Sequence, residues 1–153
     1  LLHHLQTLRK ANRIPRVPIF LDSPMAVKLL KVFDRQPEAL DLLSQDRIAV
    51  GDSPFTLPEL RLCTSSEESK RINDVRGPAI IMAGSGMCTG GRIKHHLSRY
   101  LQDESSTLLF VGYQASGTLG RQILDGACEV RIFGGYRPVY IQGRADPWTT
   151  RTC

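Results

Sequence analysis

No stretch of this 153-residue chain approaches the roughly 20 consecutive apolar residues of a membrane span. Its opening, LLHHLQTLRK, is short, interrupted by polar residues and helical in period, so it does not read as a cleavable signal sequence. The first residue is Leu; the expectation is a chain that begins inside a longer, cytoplasmic protein. The four cysteines, Cys63, Cys88, Cys128 and Cys153, are far apart, with no CxxC pair and no zinc-knuckle spacing. That spacing argues against a disulfide framework and leaves buried, reduced thiols as the reading, with Cys63 and Cys128 in or beside apolar strand-like runs. The four histidines come as adjacent pairs, His3/His4 and His95/His96. Neighbours on a helix point about 100° apart, so neither pair can chelate one ion as an i, i+4 pair does. Two nucleotide fingerprints are missing as well. Residues 84–90, GSGMCTG, read GxGxxxG, one residue too long for the dinucleotide motif. Gly86 to Gly91 has the P-loop spacing, but Arg92 and Ile93 stand where that motif needs Lys and Ser/Thr.

What is present is enough for one domain with a core: 41% of the residues are hydrophobic and 23% charged. The net charge of +5 shifts the odds toward nucleic acid only slightly. Periodicity predicts a helix over Leu1–Ala11 with Leu1, Leu2, Leu5 and Leu8 on one face. A short buried strand follows at Val17–Leu21. Next comes a helix capped by Ser23 and opened by Pro24, with Met25, Leu29, Leu30, Val32 and Phe33 facing inward. A short helix is expected at Glu38–Leu43 and a loop at Gly51–Pro58. Beyond them, strands are expected at Leu60–Thr64, Ala79–Ala83, Thr107–Gly112 and Glu129–Phe133. Helices are expected after Ser65/Ser66 and over Gly91–Leu101 and Thr118–Asp125. Short apolar strands alternating with helices imply an α/β fold: an open, mostly parallel sheet with helices on both faces. Pro138–Gln142 is a candidate for one more strand, which leaves room for antiparallel pairing at the end. Residues 1–142 read as the domain, itself incomplete, and 143–153 (GRADPWTTRTC) as an irregular tail or an aberrant continuation.

Three strand-to-helix junctions stand out. In Pro78–Arg99 (PAIIMAGSGMCTGGRIKHHLSR) an apolar strand runs into a glycine-rich turn and then a basic helix. That order presents bare backbone N–H groups to an anion. The layout recurs at Phe20–Ala26 and Val111–Arg121. In a parallel sheet such loops lie along one edge, the usual place for a ligand. The candidate phosphate- or RNA-contacting residues are therefore Asp22 and Ser23, then Gly84, Ser85, Gly86, Met87 and Arg92, then Ser116, Gly117, Thr118 and Arg121. The glycines allow close approach, the hydroxyls donate, and the arginines supply bidentate charge. The bland alternative is that Ser23 and Thr118 only cap helices and the glycines only turn the chain. Asp22, the carboxylate at a loop, is better suited to ordering backbone N–H groups than to catalysis, because no partner acid or base accompanies it.

Taken together, VPIFLDSPMA, LRLCTSSEESKRIN, PAIIMAGSGMCTGGRIKHHL and LLFVGYQASGTLGRQILDGACEVRIFG resemble the β-CASP region of metallo-β-lactamase-fold nucleases. These segments span about Leu1–Tyr140 in the family's order and spacing, and the match is closest to the prokaryotic RNA-processing branch. The resemblance implies an insertion lobe that clamps single-stranded RNA against a metallo-β-lactamase lobe, where two zinc ions carry out phosphodiester hydrolysis. It makes Asp22, Ser23, the GSGM loop and Gly117–Arg121 RNA-facing. It implies no metal and no catalytic residue in this chain, since the family's HxHxDH and SAHAD-like motifs do not occur here. The missing lobe would be the partner, no membrane is involved, and a homodimer stays open for the full-length form. A stand-alone phosphate- or RNA-binding α/β module without catalysis is the alternative. A flavodoxin-like enzyme would need a cofactor fingerprint or a nucleophile–base pair, and neither is visible.

Overall fold

In a computed structural model of the chain, residues 1–36, 38, 40, 42–49, 51–53, 55–140 and 142–145 are described. The chain divides into two compact units, with the boundary between Met82 and Ala83; composition and length alone read as one domain.

The first unit contains α1 (Leu2–Lys10), β1 (Ile19–Asp22), α2 (Pro24–Arg35), α3 (Leu42–Ala49), β2 (Leu60–Leu62) and α4 (Ser66–Arg71), which runs on into a 3-10 turn at Ile72–Asp74. β3 (Ile80–Ala83) crosses the boundary. The strands form a parallel sheet in the order β2-β1-β3, with Ile19 opposite Leu60 and Leu21 opposite Leu62. All four residues of the central strand β1 are buried, Ile19, Phe20 and Leu21 as an apolar run without alternation implies, and Asp22 with them. Phe20, Cys63 and Ile72 pack with Val75, Ala79 and Ile81. Burying a side chain the size of Phe20 contributes about 1.5–3 kcal/mol.

Three expectations change here. The residue that α1 buries is Gln6, whose amide donates to Ser53 O at 2.7 Å and Thr56 O at 2.9 Å, while its leucines stay half-buried or exposed. α2 buries Val27 and leaves Met25, Leu29 and Val32 at 80%, 51% and 45% exposure. At about 100° per residue those three lie opposite Val27. Apolar residues ring α2, so its inward side was not decidable from composition. The third helix lies at Leu42–Ala49 rather than 38–43. Pro37 precedes it, and Gln45 Nε2 donates back to Leu40 O at 2.7 Å, tying down the approach.

The second unit contains α5 (Ile93–Tyr100), β4 (Thr107–Phe110), α6 (Leu119–Leu124), β5 (Glu129–Ile132), β6 (Gly135–Pro138) and β7 (Gln142–Ala145). β4 pairs parallel with β7, and β5 pairs antiparallel with β6. The fold is therefore α/β with parallel pairing and an antiparallel pair near the end. Leu97, Leu101, Phe110, Ile123, Val130, Ile132 and Cys88 form its core. β4 buries Phe110 on one side but leaves Leu109 exposed, and Val111 and Tyr113 continue that exposed side. Strand structure reaches past Gln142 into Gly143–Ala145, part of the stretch read as an irregular tail; residues 146–153 lie outside the described residues. Cys63 and Cys88 are buried free thiols as expected, whereas Cys128 is exposed, at the turn between α6 and β5.

Candidate functional site

The glycine loop between β3 and α5 is closed at its base by two main-chain bonds. Ile93 N–H donates to Gly84 O at 3.0 Å, and Ser85 N–H to Gly90 O at 3.2 Å. Gly91 sits at φ +71, and a Cβ there would lie 2.5 Å from Gly84 O, so both the backbone conformation and the space require glycine. Within the loop, Cys88 N–H donates to Ser85 O at 3.1 Å, forming a turn whose central residues are Gly86 and Met87. Among the described residues, no acceptor lies within hydrogen-bond reach of the Gly86 and Met87 N–H groups. Gly86 is exposed and Met87 half-buried. Ser85 Oγ accepts from Gly90 N–H at 3.2 Å and lies 3.3 Å from Thr89 Oγ1, so its hydroxyl braces the loop. Burial pushes the Cys88 thiol up to about 11, which keeps it protonated and unreactive at neutral pH.

Gln114 joins this loop to the one after β4. Its Nε2 donates to Gly86 O and Gly112 O, both at 2.9 Å, and lies 3.2 Å from Tyr113 O, which shares one of its two hydrogens. The side chain is 1% exposed, and its Oε1 is buried against the Gly120 position without a hydrogen-bond donor. Gly120 N–H donates to Met87 O at 3.0 Å, a second tie between the loops. A Cβ at Gly120 would collide with Gln114 Oε1 and approach Met87 O at 3.1 Å. Gly84–Arg92 and Gln114–Arg121 thus form one hydrogen-bonded assembly. Gln114 was not among the candidates singled out from the sequence. A glutamine in a polar turn carries no signal that separates it from Ser116 or Thr118.

The other candidates occupy definite positions. Thr118 caps α6: its Oγ1 accepts from Arg121 N–H at 3.2 Å and donates to Ala115 O at 2.7 Å. Ser116 and Gly117 are exposed, Gly117 at φ +79. Arg121 Nε donates to the Asp125 carboxylate at 2.9 Å, one helical turn on, and that pairing raises the Arg121 pKa further. Arg92 precedes α5 as its N-terminal cap residue, half-buried. Asp22 and Ser23 belong to the first unit. The Asp22 carboxylate is wholly buried at the end of β1 and accepts from Ser69 Oγ at 2.6 Å, which ties the strand to α4. Ser23 Oγ accepts from Ala26 N–H at 3.3 Å, the cap geometry that its sequence position implied. Among the described residues, no three His, Cys, Asp or Glu side chains converge as a metal set. These residues do not fit a zinc site.

A strand, a glycine loop whose Gly86 and Met87 N–H groups have no main-chain acceptor among the described residues, and a following basic helix are held together by the buried Gln114 amide within an α/β domain. The chain belongs to the β-CASP domain family, whose domain model matches residues 1–123. It is 41% identical over 128 residues to ribonuclease TTHA0252 of Thermus thermophilus, covering 84% of this chain and 30% of that protein. It is 35% identical over 116 residues to the transcription termination factor FttA of Methanocaldococcus jannaschii, covering 75% of this chain and 18% of that protein. With FttA of Thermococcus kodakarensis the figures are 37% over 119 residues, 77% and 18%. The chain spans less than a third of the length of these relatives.

Proposed function

We propose that this chain is the RNA-holding lobe of a zinc-dependent, metallo-β-lactamase-fold ribonuclease that works in the cytoplasm. The carrying observation is the Gly84–Gly91 loop, whose Gly86 and Met87 N–H groups are open to an anion and whose shape is fixed by Gln114. Main-chain donors of this kind read phosphate rather than base edges, so the lobe would grip a single strand with little regard to sequence. Arg92 and Arg121 supply charge, Ser116, Gly117 and Thr118 line the second loop, and Asp22 and Ser23 order the first. The catalytic zinc ions would be held by the metallo-β-lactamase lobe of the same polypeptide, outside this chain. The family, and the name of the relative ribonuclease TTHA0252, support the nuclease reading. Among the described residues no helix is long and apolar enough to cross a membrane.

The test is affinity for single-stranded RNA by the full-length protein across salt concentrations. Affinity should fall steeply with salt. Arg121→Ala should weaken binding by about 1.5–3 kcal/mol, the loss of a charge-assisted contact, with thermal melting retained. Asp125→Asn, which frees the Arg121 guanidinium, should shift affinity the other way. A flat salt dependence, or unaltered binding in both variants, would sink the reading.

A further inference from the structure

The turn joining β5 and β6 consists of Phe133 at φ +51 and Gly134 at φ +83, between the paired residues Ile132 and Gly135. Two successive positive-φ residues make the hairpin connection that favours Asn-Gly or Asp-Gly. A bulky aromatic in the left-handed region is an outlier. Burial does not account for it, because Phe133 is 58% exposed. Its ring instead meets two side chains of α5. The His95 ring lies 4.7 Å away between centroids, tilted by 37°, and Lys94 Nζ lies 5.1 Å from the ring centre. Both belong to the first turn of α5, the helix that the glycine loop feeds. On the outer side of the hairpin, Arg131 and Tyr136 are exposed cross-strand partners, and Arg131 Nε donates to Gly134 O at 3.3 Å, holding the turn.

We propose that Phe133 is a stacking platform for a nucleobase of single-stranded RNA, with Lys94 and Arg131 supplying cations for the neighbouring backbone. This rests on the RNA reading above and deepens it, adding base stacking to phosphate binding. An exposed ring set among cations is how proteins hold single strands without reading their sequence. The ring is 58% exposed, with Lys94 and His95 against it and Arg131 Nε bonded to Gly134 O of the same turn.

In the full-length protein, Phe133→Asn removes the ring and places a favoured residue in the turn, so folding is kept. Its affinity for a single-stranded RNA oligomer should fall roughly tenfold, with the salt slope unchanged. Affinity for an abasic ribose-phosphate oligomer should stay as it was. Phe133→Trp should keep RNA affinity, and its fluorescence should be quenched by RNA but not by the abasic oligomer. Wild-type RNA affinity in Phe133→Asn overturns the proposal, and a lowered melting temperature in that variant would then mark a protein contact instead. An equal loss for RNA and abasic oligomer also overturns it. Absence of salt-sensitive RNA binding in the unaltered protein overturns both this proposal and the phosphate reading.

Discussion

The Gln114 carboxamide faces three carbonyl oxygens, and that fixes which end is which: only the NH2 end can donate to Gly86, Gly112 and Tyr113. The oxygen is left against Gly120, where only a residue without a Cβ leaves it room. Gln114→Ala therefore removes the donor that ties these carbonyls together and should destabilise the chain by about 0.5–1.5 kcal/mol. Gly120→Ala should also destabilise, through the collision with the Gln114 side chain. The two effects should not add. With Ala at 114 the collision disappears, leaving only the tighter approach to Met87 O, so the double variant should be more stable than the sum of the single losses implies. Denaturant titrations of the four proteins measure this coupling directly. Strict additivity would mean that Gln114 and Gly120 do not form one latch.

α4 is six residues long and buries none of them, so its ends decide whether it forms. Ser65 Oγ accepts from Glu68 N–H at 3.1 Å, and Glu68 accepts in return from the N–H groups of Ser65 at 2.9 Å and Thr64 at 2.6 Å. These backbone bonds lower the Glu68 pKa from the ordinary 4.5 to about 2. A carboxylate depressed in the folded state stabilises the fold fully above its unfolded value and loses that contribution as pH falls from 4.5 through about 2. Glu68→Gln should accordingly melt below the wild type at neutral pH, and the gap should close as pH approaches 2. Asp52 and Asp103 are also lowered, by Lys10 and by Ser105 respectively, so the comparison with the variant is what isolates Glu68. A gap independent of pH would rule out the carboxylate as its source. This cap was legible beforehand because Ser65 and Glu68 stand three apart, a local signal that no tertiary contact alters. The Ser23 and Thr118 caps were legible from the residue type before a helical run, with Pro24 reinforcing Ser23. The inward face of α2 was not: Met25, Leu29 and Val32 make as good an apolar stripe as the one containing Val27, and only the packing of the unit selects between them. The hairpin register likewise depends on Phe133 tolerating positive φ, which no propensity favours.

At the scale of the whole chain, the described residues at the junctions offer main-chain donors and no cluster of three metal-ligating side chains. Asp22 is occupied by Ser69, and His96 is buried while its neighbour His95 packs on Phe133. Hydrolysis of a phosphodiester by a two-metal enzyme needs ligands for both ions and a water between them. The described residues bring no such set together. From these features the 153-residue chain alone should not cleave RNA, whether or not zinc is added, yet should retain weak, salt-sensitive binding through the Gly86–Met87 donors. Incubating the purified chain with end-labelled single-stranded RNA, with zinc and with a chelator, measures the first part; binding titrations over a salt series measure the second. Chelator-sensitive cleavage by the chain alone would require a metal site within it and would reassign the catalytic lobe. Binding without cleavage is the outcome that the proposed RNA-holding role expects of this chain.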